Sequence, residues 1–533
     1  MCTLCDQGTP QDHSASPKDP SARSQLGRRD FLKASTATAA SAAGLSLFNA
    51  PAARADDNDD APRDSGRHGR RYLIRGGHVM SMDPKVGNIV GGDVLVEGKK
   101  IKEVGRNLRA SGAAVIDARG KIVMPGFIDT HHHLFETALR SFLANGILLP
   151  DGTRDGVVNY FQYILSTFAP VYRPHDVYVS ELFGSLSQLD IGVTTVHDIS
   201  QIHHSPQHSD AAIQALRDSD RRAVFGYFES AGGVKGNQYP VDARRIKPQW
   251  FSSDDQLVTM IMGGEIYLGQ ASQELSWSIG RDELHIPIAA HILSPFGMRT
   301  TFDALVDSKQ LGPDNLFIHM TGMSDKAWAE VARVGARVSL AVPIEMNMRH
   351  GQPPILKVQS LKIEPSLSTD VEVTLTADMF YQMRSAMNMQ RMVVNQSILE
   401  QGDFVFPNQF PTPAPGTPLL LQTQDVLRWA TINGAKDLRL DGKTGSLTPG
   451  KEADIILLDA EALNVAPLNN VPGAVVSLMD RTNVETVIVA GKVRKWKGKL
   501  LDVDLRKLRR ELENSRDDIF AASGVPQDLF RAN

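Results

Sequence analysis

Between residues 126 and 370, short continuous apolar runs alternate with stretches whose apolar residues recur at helical spacing. Runs of the first kind are strands buried on both faces, and stretches of the second kind are amphipathic helices. The strands fall at 126–131, 193–199, 223–228, 256–262, 286–291, 316–319, 337–342 and 364–370, with helices between most of them, as at 175–189, 211–219 and 325–334. Eight strands in this alternation predict an α/β fold, a (β/α)8 TIM barrel, with chemistry at the C-terminal ends of the strands.

Shorter β-rich runs punctuated by Gly flank that region, at 72–74, 93–97, 100–104 and 114–117, and again at 453–458, 484–489 and 492–496. Two half-sets at opposite ends of a long chain predict one small β-sandwich, built from 72–122 and 444–496 around a barrel of 123–443. Met379, Met383 and Met387 recur at helical spacing and read as the core face of a helix. Residues 401–423 carry Pro407, Pro411, Pro413, Pro415 and Pro418 without periodicity, which predicts a loop, either a plain connection or a lid. Residues 56–71 are polar and read as a disordered linker, and 497–533 as a helical tail whose helix, at 504–520, is charged and solvated.

Composition narrows the function classes. Hydrophobic content of 42% and charged content of 22% suit a soluble globular protein. A formal charge of −4 without a basic stripe argues against a nucleic-acid partner. No run reaches the roughly 18 apolar residues of a membrane span, so no stable membrane insertion is expected. At the N-terminus, Gly27-Arg28-Arg29-Asp30-Phe31-Leu32-Lys33 is a twin-arginine motif, followed by a weakly apolar stretch at 34–48 and a small-x-small cleavage site at Ala53-Arg54-Ala55. Residues 1–55 thus predict an export signal read by the twin-arginine machinery, and a periplasmic or extracellular mature protein. Cys2 and Cys5, the only cysteines, lie in that signal. Any metal in the mature chain must be held by His and carboxylate.

Residues 124–140 read M-P-G-F-I-D-T-H-H-H-L-F-E-T-A-L-R. Along a strand side chains alternate, so His131 and His133 share a face that His132 does not. Two imidazoles on one face at the end of a buried strand can grip one divalent cation. His291 lies at a strand exit, where barrels do chemistry, and His285 at the start of the same strand, where they are built for stability. His319 and Asp370 end the sixth and eighth strands.

The motif P-G-F-I-D-T-H-x-H followed by L-F-x-T-x-L-R resembles the first barrel strand and loop of the amidohydrolase superfamily, in its cytosine deaminase-like and atrazine chlorohydrolase-like branch. The resemblance extends from Tyr72 to Trp496 and includes the re-entry segment G-S-L-T-P-G-K-E-A-D-I-I-L-L-D. It implies a mononuclear site, with His131, His133, His291 and Asp370 as metal ligands and His319 as a further His beside them. The two-metal pattern of the family needs a Lys on strand four, and 257–264 contains none. One divalent ion is expected, zinc first, with iron(II) or manganese as alternatives. Such an ion would activate a water, Asp370 would act as base and His319 would hydrogen-bond the nucleophile or polarise the electrophilic carbon, making both catalytic residues.

Two departures bear on the substrate. Deaminases of the branch carry H-x-x-E on strand five, where this chain has His291-Ile292-Leu293-Ser294. Ser294 cannot shuttle a proton near neutrality. Glu136, in the loop overhanging the metal, and Glu372 are the candidate replacements, with Glu136 expected to bind substrate. Relatives read P-x-S-N after strand seven, against Pro343-Ile344-Glu345-Met346-Asn347-Met348-Arg349-His350-Gly351 here. His197, His203, His204 and His208 follow strand two and either enter the same cavity or belong to a solvated loop. The expected function is hydrolysis of a C–N bond in a small molecule (amide, carbamate, urea or cyclic amidine). Deamination or dechlorination of a heteroaromatic ring is the alternative, and a metal-containing binding protein the non-enzymatic one. A homo-oligomer is left open.

Overall fold

A computed structural model of the chain describes residues 60–150, 159–229, 236–402 and 412–530. The predicted export signal at 1–55 and the middle of the Pro-rich stretch lie outside the described residues. Among the described residues no helix is long and apolar enough to cross a membrane.

Nine strands form one sheet drawn from both ends of the chain. They are β1 (Arg71–Met80), β2 (Asn88–Glu97), β3 (Lys100–Gly105), β4 (Ala114–Asp117) and β5 (Lys121–Pro125) from one end. After the eight strands of the barrel come β14 (Ile455–Asp459), β15 (Val484–Val489), β16 (Lys492–Trp496) and β17 (Lys499–Leu500). The two halves join where β5 runs antiparallel to β14, with Met124 opposite Ile456. One edge of β1 carries β4 along its first half and β5 along its second, and this branching encloses an apolar core that includes Tyr72, Val94, Ile455 and Ile488. Residues 60–70, expected to be a disordered linker, pack on this sheet instead. Ser65 Oγ accepts from Val493 N at 3.0 Å, and Ala61 lies against the core.

Eight parallel strands make the barrel: β6 (Phe127–His132), β7 (Val193–Ser200), β8 (Arg222–Tyr227), β9 (Val258–Gly263), β10 (Ile288–Ile292), β11 (Asn315–His319), β12 (Arg337–Leu340) and β13 (Ser366–Leu367). They hydrogen-bond in chain order. β6 enters directly from β5 through Gly126, where a Cβ would overlap the Thr194 side chain, so only glycine lets β6 lie beside β7. β13 is two residues long rather than the seven expected, and side chains complete its seam with β6. Thr130 Oγ1 meets Ser339 Oγ at 2.7 Å and Ser366 Oγ at 2.8 Å, and Asp129 accepts from Thr369 N at 3.1 Å. His132 and Asp370 then bridge across the gap, with Asp370 N donating to His131 O and His133 N to Asp370 O, both at 3.0 Å. The ring therefore closes at residues expected to do chemistry.

The helix Met379–Leu399 buries Met379 and Met383, and its Phe380 packs edge-on against Phe127 with centroids 5.0 Å apart. The terminal helix Leu505–Ser523 is docked, contrary to the expectation of a solvated element. It buries Leu508, Leu512 and Ile519, and Phe520 meets Phe168 with centroids 5.1 Å apart. Charge patterning alone hides this, because the apolar positions form a narrow stripe on an otherwise polar helix.

A candidate metal centre at the barrel mouth

The strand alternation puts His131 and His133 on one face, with their Nε2 atoms 3.1 Å apart. His132 turns away and meets Thr369 Oγ1 through Nδ1 at 2.8 Å. His291 projects from β10 with Nε2 3.0 Å from His131 Nε2. Asp370 Oδ1 lies 3.6 Å from Nε2 of both His131 and His133, and its Oδ2 is 3.5 Å from His319 Nε2. His319 and Asp370 have φ of 71° and 63°, left-handed values that cost a non-glycine residue on the order of 1–3 kcal/mol. The sharp reversals at these strand exits turn both side chains into the mouth.

These groups fit a cation better than they fit one another. His131 Nε2 faces two other ring nitrogens, yet it carries either one proton or one lone pair and cannot make both bonds in a neutral cluster. Burial holds His131, His133, His291 and His319 below the ordinary histidine pKa, so the rings do not protonate to resolve the conflict. Burial also pushes Asp370 up to about 7. Imidazole and carboxylate together suit zinc and similar divalent ions.

Two buried carboxylates orient the rings. Glu265, just past β9, hydrogen-bonds His291 Nδ1 and accepts from His291 N at 3.1 Å. Glu345, in the short helix Val342–Asn347, accepts a hydrogen bond from His319 Nδ1 at 3.1 Å and one from Ala341 N at 2.9 Å. A carboxylate on Nδ1 leaves the Nε2 lone pair aimed inward. The sequence carried a signal for each, an acid directly after the Gly263-Gly264 strand exit and an acid inside the divergent 343–351 segment. Neither is a ligand, and pattern reading for ligands passes over both. Glu265→Gln is expected to weaken divalent-metal affinity roughly 10- to 100-fold while leaving the fold intact, measured by zinc titration against a competing chelator.

The remaining expectations separate. Glu136 is fully buried and is not part of the cleft wall. Tyr160 stands between it and the cleft and donates its hydroxyl to Glu136 Oε1 at 2.5 Å. Of the pair, Tyr160 and not Glu136 lines the cleft. Glu372 is tied to Arg140, with Arg140 Nε donating to its Oε2 at 2.9 Å. Ser294 is exposed and outside the cleft wall. His197 lies inside the barrel with Nδ1 2.9 Å from Thr130 O. His204 and His208 bind the carbonyls of Ala169 and Tyr172 at 2.9 and 3.0 Å, and His203 binds Ser209 and Ser200. These loop histidines neither enter the cleft nor dissolve into solvent; they fasten the loop. His285 is exposed, away from the site.

Above the centre opens a narrow cleft. Its floor is formed by His133, His291, His319 and Asp370, and its walls are mostly aromatic and aliphatic.

Barrel, sheet and converging His and Asp side chains define a metal-dependent hydrolase acting on carbon–nitrogen bonds. Residues 122–494 match the amidohydrolase family, and the chain belongs to it. The 5'-deoxyadenosine deaminase of Methanosarcina barkeri is 26% identical over 461 residues, spanning 84% of this chain and 98% of its own. Among solved structures, an adenosine deaminase from Xanthomonas campestris with bound zinc superposes with a TM-score of 0.72 at 22% identity, over 85% of this chain and 100% of that one. A variant of atrazine chlorohydrolase from Arthrobacter aurescens, complexed with zinc and atraton, does so with a TM-score of 0.67 at 19% identity, over 84% and 100%.

Proposed function

We propose that the protein is an exported, mononuclear zinc amidohydrolase that hydrolyses a C–N bond at an amide, carbamate, urea or cyclic amidine carbon of a small molecule. The observation that carries this reading is the convergence of His131, His133, His291 and Asp370, with no second acid on the described cleft wall. Those four residues would hold the ion, which when bound supplies the Lewis acidity that activates water at neutral pH.

The chain's own groups complete the reaction. Asp370 Oδ2 accepts no hydrogen bond in the protein and is free to take a proton from the attacking water. The same oxygen returns that proton to the departing nitrogen as the C–N bond breaks. His319, its Nδ1 proton committed to Glu345, presents Nε2 as an acceptor that holds and orients the water. Apolar walls exclude bulk solvent and strengthen these interactions.

A second reading, removal of an exocyclic amine from a heteroaromatic ring, is favoured by the names of the deaminase relatives. Against it stands Ser294, exposed where that route needs an acid. Incubating the zinc-loaded protein with linear amides, carbamates and amino- or chloro-substituted rings, and following carboxylate, ammonia and chloride separately, divides the two. Turnover of amides or carbamates with one zinc per chain is the expected result. Ammonia released from ring amines alone would replace it with the second reading. Export is supported by the twin-arginine motif at Arg28-Arg29 and is tested by cell fractionation of the wild type against an Arg28→Lys, Arg29→Lys variant.

A further inference from the structure

His350 lines the cleft, is 4% exposed, and has neither a hydrogen bond nor an ion-pair contact at either ring nitrogen. Of the other buried polar side chains of the wall and floor, Tyr160 is engaged with Glu136, Gln201 Nε2 with Glu229, His291 with Glu265 and His319 with Glu345, and the unpartnered atoms His133 Nδ1 and Asp370 Oδ2 belong to residues already assigned to the metal centre. A buried imidazole without partners carries a desolvation cost that a ligand can relieve.

The backbone that carries the ring is fixed on both sides. Thr321 Oγ1 donates to the His350 carbonyl at 2.6 Å. Arg349 and Gly351 on either side have φ of 60° and 125°, and a Cβ at Gly351 would press on Thr321 at 3.2 Å. The His350 ring stands edge-on to His319, centroids 4.8 Å apart, beside the groups that act on the substrate. Around it Leu148, Phe161, Leu165, Leu293, Phe296 and Met348 make an apolar wall, and among the described residues of the cleft there is no Lys or Arg. Away from the metal centre, an anionic group of a substrate would find no side-chain counter-charge on the described wall.

We infer that His350 is the residue that reads the substrate, hydrogen-bonding a polar atom of an uncharged, mainly aromatic molecule whose ring packs on the apolar wall. The inference rests on the reaction proposed above and adds to it the substrate class and the contact that orients it. A neutral imidazole offers one donor and one acceptor, so a ring nitrogen or a carbonyl oxygen satisfies it.

Hydroxamates, which chelate zinc, serve as probes of the full-length zinc-loaded protein by calorimetry, with metal content measured alongside. The probes are acetohydroxamate, benzohydroxamate, 4-carboxybenzohydroxamate and the three pyridine hydroxamates. Benzohydroxamate is expected to bind at least tenfold more tightly than acetohydroxamate, and the carboxylated probe more weakly than benzohydroxamate. One pyridine isomer is expected to exceed benzohydroxamate by a further tenfold. His350→Phe should erase that last preference while keeping benzohydroxamate within threefold and one zinc per chain, and His350→Gln should restore part of it. Pyridine isomers no better than benzohydroxamate, or a preference that survives His350→Phe, would overturn the assignment. Loss of metal in His350→Phe would also overturn it, making His350 a ligand. Absence of binding by every probe, acetohydroxamate included, would instead remove the metal-centre reading and this inference with it.

Discussion

Asp370→Asn is expected to lower kcat by about 10²- to 10⁴-fold, the usual contribution of a positioned acid–base group, with much of the metal retained. Asn keeps the size and an oxygen donor of the carboxylate but cannot accept or return a proton. The three histidines are untouched by the change, and their convergence is set by β6 and β10. The backbone bridge between Asp370 and His132, which closes the barrel, does not involve the side chain that is altered. Steady-state kinetics on the substrate found by the screen, together with elemental mass spectrometry of the same preparation, check the prediction. Loss of metal in parallel with activity would make Asp370 chiefly a ligand. Unchanged kcat with metal present would place the base elsewhere, and Glu136, held by Tyr160, would be the first residue to test.

Arg222→Met is expected to destabilise the protein by roughly 3–5 kcal/mol, because breaking a buried pair leaves uncompensated charge. Arg222 begins β8 and is 1% exposed. Its Nε lies 2.7 Å from Asp454 Oδ2 and its Nη2 lies 2.6 Å from Glu452 Oε2, both in the re-entry segment that leads into β14. The Arg222 side chain thus fastens the barrel wall to the sheet made from both ends of the chain. Methionine preserves the packing volume of the stem, takes the buried Asp454 carboxylate's ion pair away and leaves Glu452 with Lys99 alone, 3.3 Å away. Urea denaturation should show the midpoint fall, and adding Glu452→Gln and Asp454→Asn to Arg222→Met should recover part of the loss. A triple variant as unstable as Arg222→Met would mean that packing, not charge, holds the joint.

The barrel was legible because its strands are buried on both faces and read as continuous apolar runs separated by amphipathic helices. The positions of His131, His133, His291, His319 and Asp370 were legible for a related reason, since each follows or ends such a run; strand period gave the shared facing of His131 and His133, whereas backbone reversals with no local pattern set that of His319 and Asp370. Strand boundaries were less so: β13 shrank to two residues because Thr130, Ser339, Ser366 and Asp129 side chains took over the seam, an arrangement with no local pattern.

Local sequence, through periodicity and residue type, determined the fold class and the groups that face the barrel mouth. Tertiary structure alone decided their partners. Glu265 meets His291 across 26 positions, Glu345 meets His319 across another 26, and Tyr160 reaches Glu136 across 24. Such contacts depend on where separate strand exits are brought together, and no local spacing encodes them. The same holds for the loop histidines and the docked terminal helix, whose polar residues look solvated until the surface they cover is in view. His350 is the clearest case: one histidine in a divergent loop by sequence, and a buried, unpartnered imidazole facing the cleft once the chain has folded.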